Sequence, residues 1–193
     1  MSTTLPQPLP GTVAVGGFAQ ASRHKRRWDA ILTCEDPNER QRLRVNDRPQ
    51  LVLAFEDCDD ASLGYAVATS EQIEQALAFL QNNREGSLLV HCMHGVGRSA
   101  ALVLMDLADR LGPGQEDEAV NQLLALRPEA TPNLVAVAHA DALLNRNGAL
   151  QAALLSSESG NPAKLQARRN RHEFALANPG LYARADRQGD GHG

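Results

Sequence analysis

The chain has 193 residues, 42% of them hydrophobic, which suits one sizeable core with appendages better than several domains. Its formal net charge is −4; six Lys or Arg against four Asp or Glu after Leu150 leave −6 on residues 1–150, a balance that points away from nucleic acid. No apolar run is long enough for a transmembrane segment, the opening MSTTLPQPLPGT lacks the basic and apolar parts of a signal peptide, and three cysteines without paired spacing (Cys34, Cys58, Cys92) fit a reducing cytoplasmic setting.

Residues 1–10 read as an N-terminal arm. The stretches GTVAVGG (11–17), DAILTC (29–34) and LVLAF (51–55) have the character of buried strands. Between the first two, RHKRRW (Arg23 to Trp28) reads as a solvated charged turn, although such a cluster can also attract an acidic substrate. Thr69 opens a helix with Gln72 three residues on, a capping-box pattern, and Ile73, Ala76, Leu77 and Leu80 line one face. A strand then covers Ser87 to Cys92, and Ala100 to Leu111 is apolar on nearly every side, as in a buried helix.

The polar cluster between these two, HCMHGVGRS, therefore sits at a strand-to-helix turn. Gly95 and Gly97 let the chain from His94 through Val96 to Ser99 curl with successive N–H groups pointing inward, a nest that binds anions. The first turn of the following helix adds unpaired donors and the positive end of its dipole, and the Arg98 fork can hold two phosphate oxygens at once. A thiol placed there ionises readily and is aimed at phosphorus, and Ser99 can donate a hydrogen bond to the sulfur when it leaves. His91 either supports the loop backbone or is simply packed; His94 faces substrate or solvent.

Further along, GPG at Gly112 to Gly114 breaks the chain, Glu116, Asp117 and Glu118 start a helix that stops before Pro128, and Thr131-Pro132 starts another that Asn147-Gly148 ends. A linker, SSESGNPA, leads to a basic stretch at Lys164 to Ala177 that can form a helix, and GDGHG at Gly189 to Gly193 reads as a disordered end. The expected organisation is thus a catalytic domain at 11–155 and a basic extension at 156–193, partly helical or disordered. The expected fold class is α/β, a central mostly parallel sheet flanked by helices, with the active loop between a strand and a buried helix.

His91-Cys92-x5-Arg98-Ser99 with Gly95 and Gly97 between resembles the signature loop of the cysteine-dependent protein tyrosine and dual-specificity phosphatases. The resemblance extends over most of Gly11 to Leu155. LAFED, ending at Asp57, lies 35 residues before Cys92, where these phosphatases carry a general-acid aspartate, and ATPNLVAVAHADALL (Ala130 to Leu144) is similar to the Pro-Asn helix start of dual-specificity enzymes, especially small bacterial, alphaproteobacterial-type members. The resemblance implies a dual-specificity-phosphatase-like fold and a phosphocysteine mechanism. Cys92 is the nucleophile, Arg98 and the amides of His94, Gly95, Val96 and Gly97 bind the phosphate, Ser99 assists the sulfur, and Asn133 braces the loop. No cofactor and no metal are implied.

Asp57 is the chosen acid because it stands nearest the strand end and matches the Phe-x-Asp pattern of similar phosphatases. Asp60 suits relatives whose acid lies closer to the cysteine, and Asp59 and Asp60 are otherwise expected to be solvated. Two features depart from the family: there is no Trp-Pro-Asp acid loop and no phosphotyrosine-recognition segment of the classical enzymes. The substrate therefore stays open among phosphotyrosine, phosphoserine or phosphothreonine protein and a phosphoinositide. A non-catalytic phosphate-binding module and a sulfur-transfer or arsenate-reducing enzyme are the other classes. Cys34 lies where some lipid-directed relatives carry a resolving cysteine, with Cys58 as its rival.

Overall fold

The computed structural model describes residues 4–38 and 43–185. The start of the N-terminal arm and the GDGHG end lie outside the described residues. Four parallel strands form one sheet: β1 (Val13–Gly17), β2 (Ala30–Glu35), β3 (Gln50–Ala54) and β4 (Leu88–Cys92), in the order β1-β4-β2-β3. β4 is thus central, with Cys92 at its C-terminal end beside Gly17 of β1. Being parallel, the strands need crossovers, and α1 (Phe18–His24) and α2 (Ser70–Asn82) lie in two of them.

Alternation along the strands sends different residues to the two faces. Val13, Val15, Leu32, Leu53, Leu88 and Val90 face a large core closed by α2, α3 (Arg98–Leu111), α4 (Glu116–Leu126), α5 (Leu134–Leu143) and α6 (Ala149–Ser159). Ala14, Ile31 and Leu89 face a smaller cluster with Ala21, Trp28 and Leu43. Every residue of α3 from Arg98 to Ala108 is buried, as its all-round apolar sequence requires. The sheet is wholly parallel and its helix-flanked α/β architecture is the one read from sequence.

Several boundaries differ from the sequence reading. The helix expected to start at Thr131-Pro132 begins instead at Leu134, capped by Asn133, and ends at Leu143, because Asn145 and Asn147 take positive φ (56° and 54°) and turn the chain. A separate helix, α6, follows; the Asp141 carboxylate holds its start by accepting the Gly148 and Leu150 N–H groups at 2.6 and 2.8 Å. The last serines and Glu158 of the presumed linker belong to α6, and the break narrows to Gly160-Asn161. Asn161 then caps α7 (Pro162–Ala177), with Pro162 in the first turn. No helix among the described residues is long and apolar enough to cross a membrane.

Candidate active site

Residues 92–98 leave β4 and curl into the N-terminus of α3. The Cys92 Sγ accepts the Gly95 N–H at 3.2 Å and the Ser99 hydroxyl at 3.3 Å, so the sulfur lies at the floor of the loop with the helix start behind it. Gly95 has φ +74°, and a Cβ there would run into the backbone of Gly16 and Gly17. The glycine pair ending β1 is therefore matched to this loop: a Cβ on Gly17 would press on the His94 carbonyl, 3.1 Å away. Gly97 has an ordinary negative φ, and its requirement is space, since a Cβ would meet the Asp57 carboxylate. His94 is exposed and Val96 half-buried, both on the open side of the loop.

Arg98 is 3% exposed. Its Nη1 donates to the Phe55 carbonyl at 2.8 Å and pairs with Asp36 at 2.7 Å, while its Nε is buried without a hydrogen-bond partner. Burial works against the guanidinium charge, but Cys92, Asp57 and Asp36 outweigh it and hold Arg98 ionised. Asp36 follows β2 and belongs to no local motif, which is why sequence reasoning missed it.

His91 is buried in β4. Gln50 is oriented by the Val45 N–H, which its Oε1 accepts at 2.9 Å, so its Nε2 donates to the Thr33 hydroxyl at 2.8 Å. Thr33 in turn is 2.9 Å from His91 Nε2. His91 Nδ1 is buried without a hydrogen-bond partner. Burial pushes the imidazole down from 6.5 to about 4, so it is neutral near pH 7.

Asp57 lies in the loop after β3, with a side chain 25% exposed, and accepts a hydrogen bond from Asn133 Nδ2 at 3.1 Å. Asn133 does more than sequence reasoning asked of it. Its backbone N–H braces Gly97 O at 3.2 Å, its Oδ1 caps α5, and its Nδ2 also holds the Cys58 carbonyl at 3.0 Å. Asp60 is spent on a turn, accepting the Ser62 N–H at 2.9 Å and the Ser62 hydroxyl at 2.6 Å. Asp59 differs from its expected solvated state: its side chain is only 13% exposed and is gripped by Arg168 and Arg171 of α7. Arg127 is another residue missed from sequence; it donates to the His94 carbonyl at 3.0 Å and steadies the loop from outside.

Asp36, Asp57, His94, Arg98, Arg171 and Tyr182 line an open cleft above the loop. Cys34 and Cys92 share a small cavity beneath it with Thr33 and His91. Burial raises the Cys34 thiol well above its usual range, with Cys92 adding to the effect and Arg98 opposing it. Cys58 packs elsewhere, against Tyr65 and Ala175. Among the described residues no group of three or more His, Cys, Asp or Glu side chains is placed to hold a metal ion.

No protein-family model and no curated protein sequence matches the chain. Solved structures do. DUSP15 aligns with a TM-score of 0.58 at 20% identity, covering 83% of this chain and 99% of its own. A mouse putative dual specificity phosphatase complexed with zinc tungstate gives 0.55 at 23% identity, covering 77% and 92%. The human tyrosine phosphatase-like serine/threonine/tyrosine-interacting protein gives 0.56 at 18%, covering 74% and 96%. The chain has the fold of these proteins.

Proposed function

We propose that this chain is a cysteine-dependent phosphatase that hydrolyses phosphate monoesters through a phosphocysteine intermediate, acting on phosphotyrosine or phosphoserine/threonine protein. The observation that carries the reading is the seating of the Asp57 carboxylate directly over Gly97. A carboxyl group thereby overlooks a loop whose floor is a thiol and whose wall is an ionised arginine.

In the first step the Cys92 thiolate attacks phosphorus. The S–P bond forms, the P–O bond to the leaving group breaks, and Asp57 in its protonated form gives that oxygen a proton. The loop amides and Arg98, whose buried Nε has a free hydrogen, hold the equatorial oxygens. In the second step water attacks phosphorus, the Asp57 carboxylate takes its proton, and the S–P bond breaks. Ser99, already donating to Sγ, stabilises the sulfur as it departs with the electron pair.

Asp36, Glu56 and Asp57 line the cleft together with the cations Arg98 and Arg171, so it presents both signs of charge to a substrate. Cys92, Ser99 and an overhanging carboxylate together serve chemistry, and a module that only bound phosphate would need none of the three. The test is hydrolysis of a chromogenic aryl phosphate in the presence of chelator, by the parent and by Cys92→Ser. Turnover by the parent and its loss in the variant support the reading; equal turnover by both overturns it.

A further inference from the structure

α7 has an unusual inner face. The residues it turns toward the body of the protein are Lys164, Arg168, Arg171 and Ala175, at the i, i+4, i+7, i+11 spacing of one helical stripe, so the stripe is basic where an apolar one is usual. Its three cations end on three successive carbonyls. Lys164 Nζ donates to Ala130 O at 2.8 Å, Arg171 Nη2 to Thr131 O at 3.1 Å, and Arg168 Nη2 to Pro132 O at 3.1 Å. Residues 130–133 are the segment that braces the phosphate loop, through Thr131 N–H to Val96 O at 2.9 Å and Asn133 N–H to Gly97 O.

The same stripe grips the acid loop. Asp59 accepts Arg171 Nε at 2.9 Å, Arg171 Nη2 at 2.7 Å and Arg168 Nη1 at 3.2 Å, and it also accepts the Leu134 N–H at 2.8 Å. The remaining Arg171 nitrogen, Nη1, lies 3.7 Å from Asp57 Oδ1 and 2.9 Å from where a Gly97 Cβ would stand. Beyond α7 the chain returns along the other side of the loop. Ala183 N–H donates to the Glu56 carboxylate at 2.7 Å, Ala183 O accepts the Ala66 N–H at 2.9 Å, and Tyr182 stacks on Tyr65 at 4.5 Å.

We propose that the segment 162–185 is the fixture of the general-acid loop, and that Arg171 is a positioning residue that aims the Asp57 carboxylate at the substrate's leaving oxygen. The proposal rests on the phosphocysteine reading above and deepens it. Arg171 is not a free cation awaiting a second anionic group, because Nε and Nη2 are committed to Asp59 and Thr131. Burial works against its charge, but Asp57 and Asp59 outweigh that and keep it ionised. Without it, among the described residues the Asp57 carboxylate keeps the Asn133 amide as its hydrogen-bond donor, and Asp59 keeps Arg168 and the Leu134 N–H.

Full-length Arg171→Ala, Asp57→Asn and the double variant decide the matter with two substrates: phenyl phosphate, whose leaving group needs a proton, and p-nitrophenyl phosphate, whose leaving group needs little. Misplacing the acid should cost Arg171→Ala about 10²-fold in kcat/KM on phenyl phosphate. On the p-nitrophenyl ester kcat/KM, which reports the steps up to departure of the leaving group, should stay near the parent value, with vanadate still bound. The double variant should be no slower on phenyl phosphate than Asp57→Asn, since Arg171 acts through Asp57. Arg171→Lys, which keeps the charge and loses the fork, should show the same selectivity with a smaller loss; it carries the test if Arg171→Ala fails to fold. Equal losses of kcat/KM on both esters in a variant that binds vanadate, or losses that multiply in the double variant, overturn the proposal. If Asp57→Asn is selective and Arg171→Ala is not, only the role of Arg171 falls. If Asp57→Asn has no effect, the acid assignment falls and Arg171 falls with it.

Discussion

The phosphate loop and the acid loop face each other across a few ångströms, yet they are held in different ways. Cys92 is fixed by Gly95 and Ser99, three and seven residues away. Asp57 and its neighbours are fixed by Asn133, Arg171 and Ala183, with separations of up to 127 residues. The seating of the nucleophilic sulfur is therefore a property of a short segment at a strand-to-helix turn, with Thr131, Asn133 and Arg127 bracing the outside of the loop. The acid half is a property of the whole chain, including its C-terminal segment. The two halves should accordingly fail separately, and damage to each should carry its own kinetic signature.

The largest effect belongs to the nucleophile. Cys92→Ser should reduce hydrolysis of every ester to background while still binding vanadate or a phosphorylated substrate, and Arg98→Ala should lose both turnover and binding. Asp57→Asn should cost about 10²–10⁴-fold in kcat/KM on phenyl phosphate and much less on an activated aryl ester. Asp60→Asn should stay near the parent on both, because its carboxylate is occupied by Ser62. Reversal of those two variants would move the acid three residues along.

The two glycines separate the halves within a single loop. An alanine at Gly95 meets backbone and a positive φ, so Gly95→Ala should distort the anion nest and lose activity on both ester classes as well as vanadate affinity. At Gly97 the added methyl meets the Asp57 and Arg171 side chains instead, so Gly97→Ala should spare vanadate binding and depress chiefly the acid-dependent ester. Paired measurements of vanadate affinity and leaving-group dependence check both. Equal behaviour of the two variants would dissolve the distinction.

A smaller effect lies beneath the loop, in stability. His91 is held at about 4 against an ordinary 6.5, so between these values the unfolded chain binds a proton that the folded chain does not. Stability is full above the unfolded value and declines as pH falls through this window, by about 3 kcal/mol in total. Urea unfolding at pH 7 and pH 4.5 should show that decline in the parent and a flatter one in His91→Gln. An unchanged slope in the variant would show that His91 is not the group responsible.

What could be read from the sequence follows the same division. The strands, the buried helix and the Cys92–Ser99 cluster were legible because their signals are local: an apolar run, two glycines, a helix start. Asp57 was legible as the first aspartate beyond a strand. Asp36 and Arg127 were not, since their partners lie far along the chain. α7 was legible as a basic stretch able to form a helix, but its inward face was not, because the periodicity that marks such a face was carried by Lys164, Arg168 and Arg171. Basic side chains at helical spacing read as a solvated surface until the carboxylates and carbonyls opposite them are in place. α6 was hidden by serines in its last turn and by Glu158, which is 1% exposed and paired with Arg168.

The phosphocysteine itself is the most direct test of the account. In Asp57→Asn an activated aryl phosphate should still phosphorylate the enzyme, because its leaving group needs little acid, while hydrolysis of the intermediate lacks its base. Rapid quenching followed by peptide mapping should then find phosphate on the Cys92 peptide, in step with a stoichiometric burst of aryl alcohol. Turnover with no phosphate at Cys92, or with phosphate on another residue, would contradict the assignment of Cys92 as nucleophile.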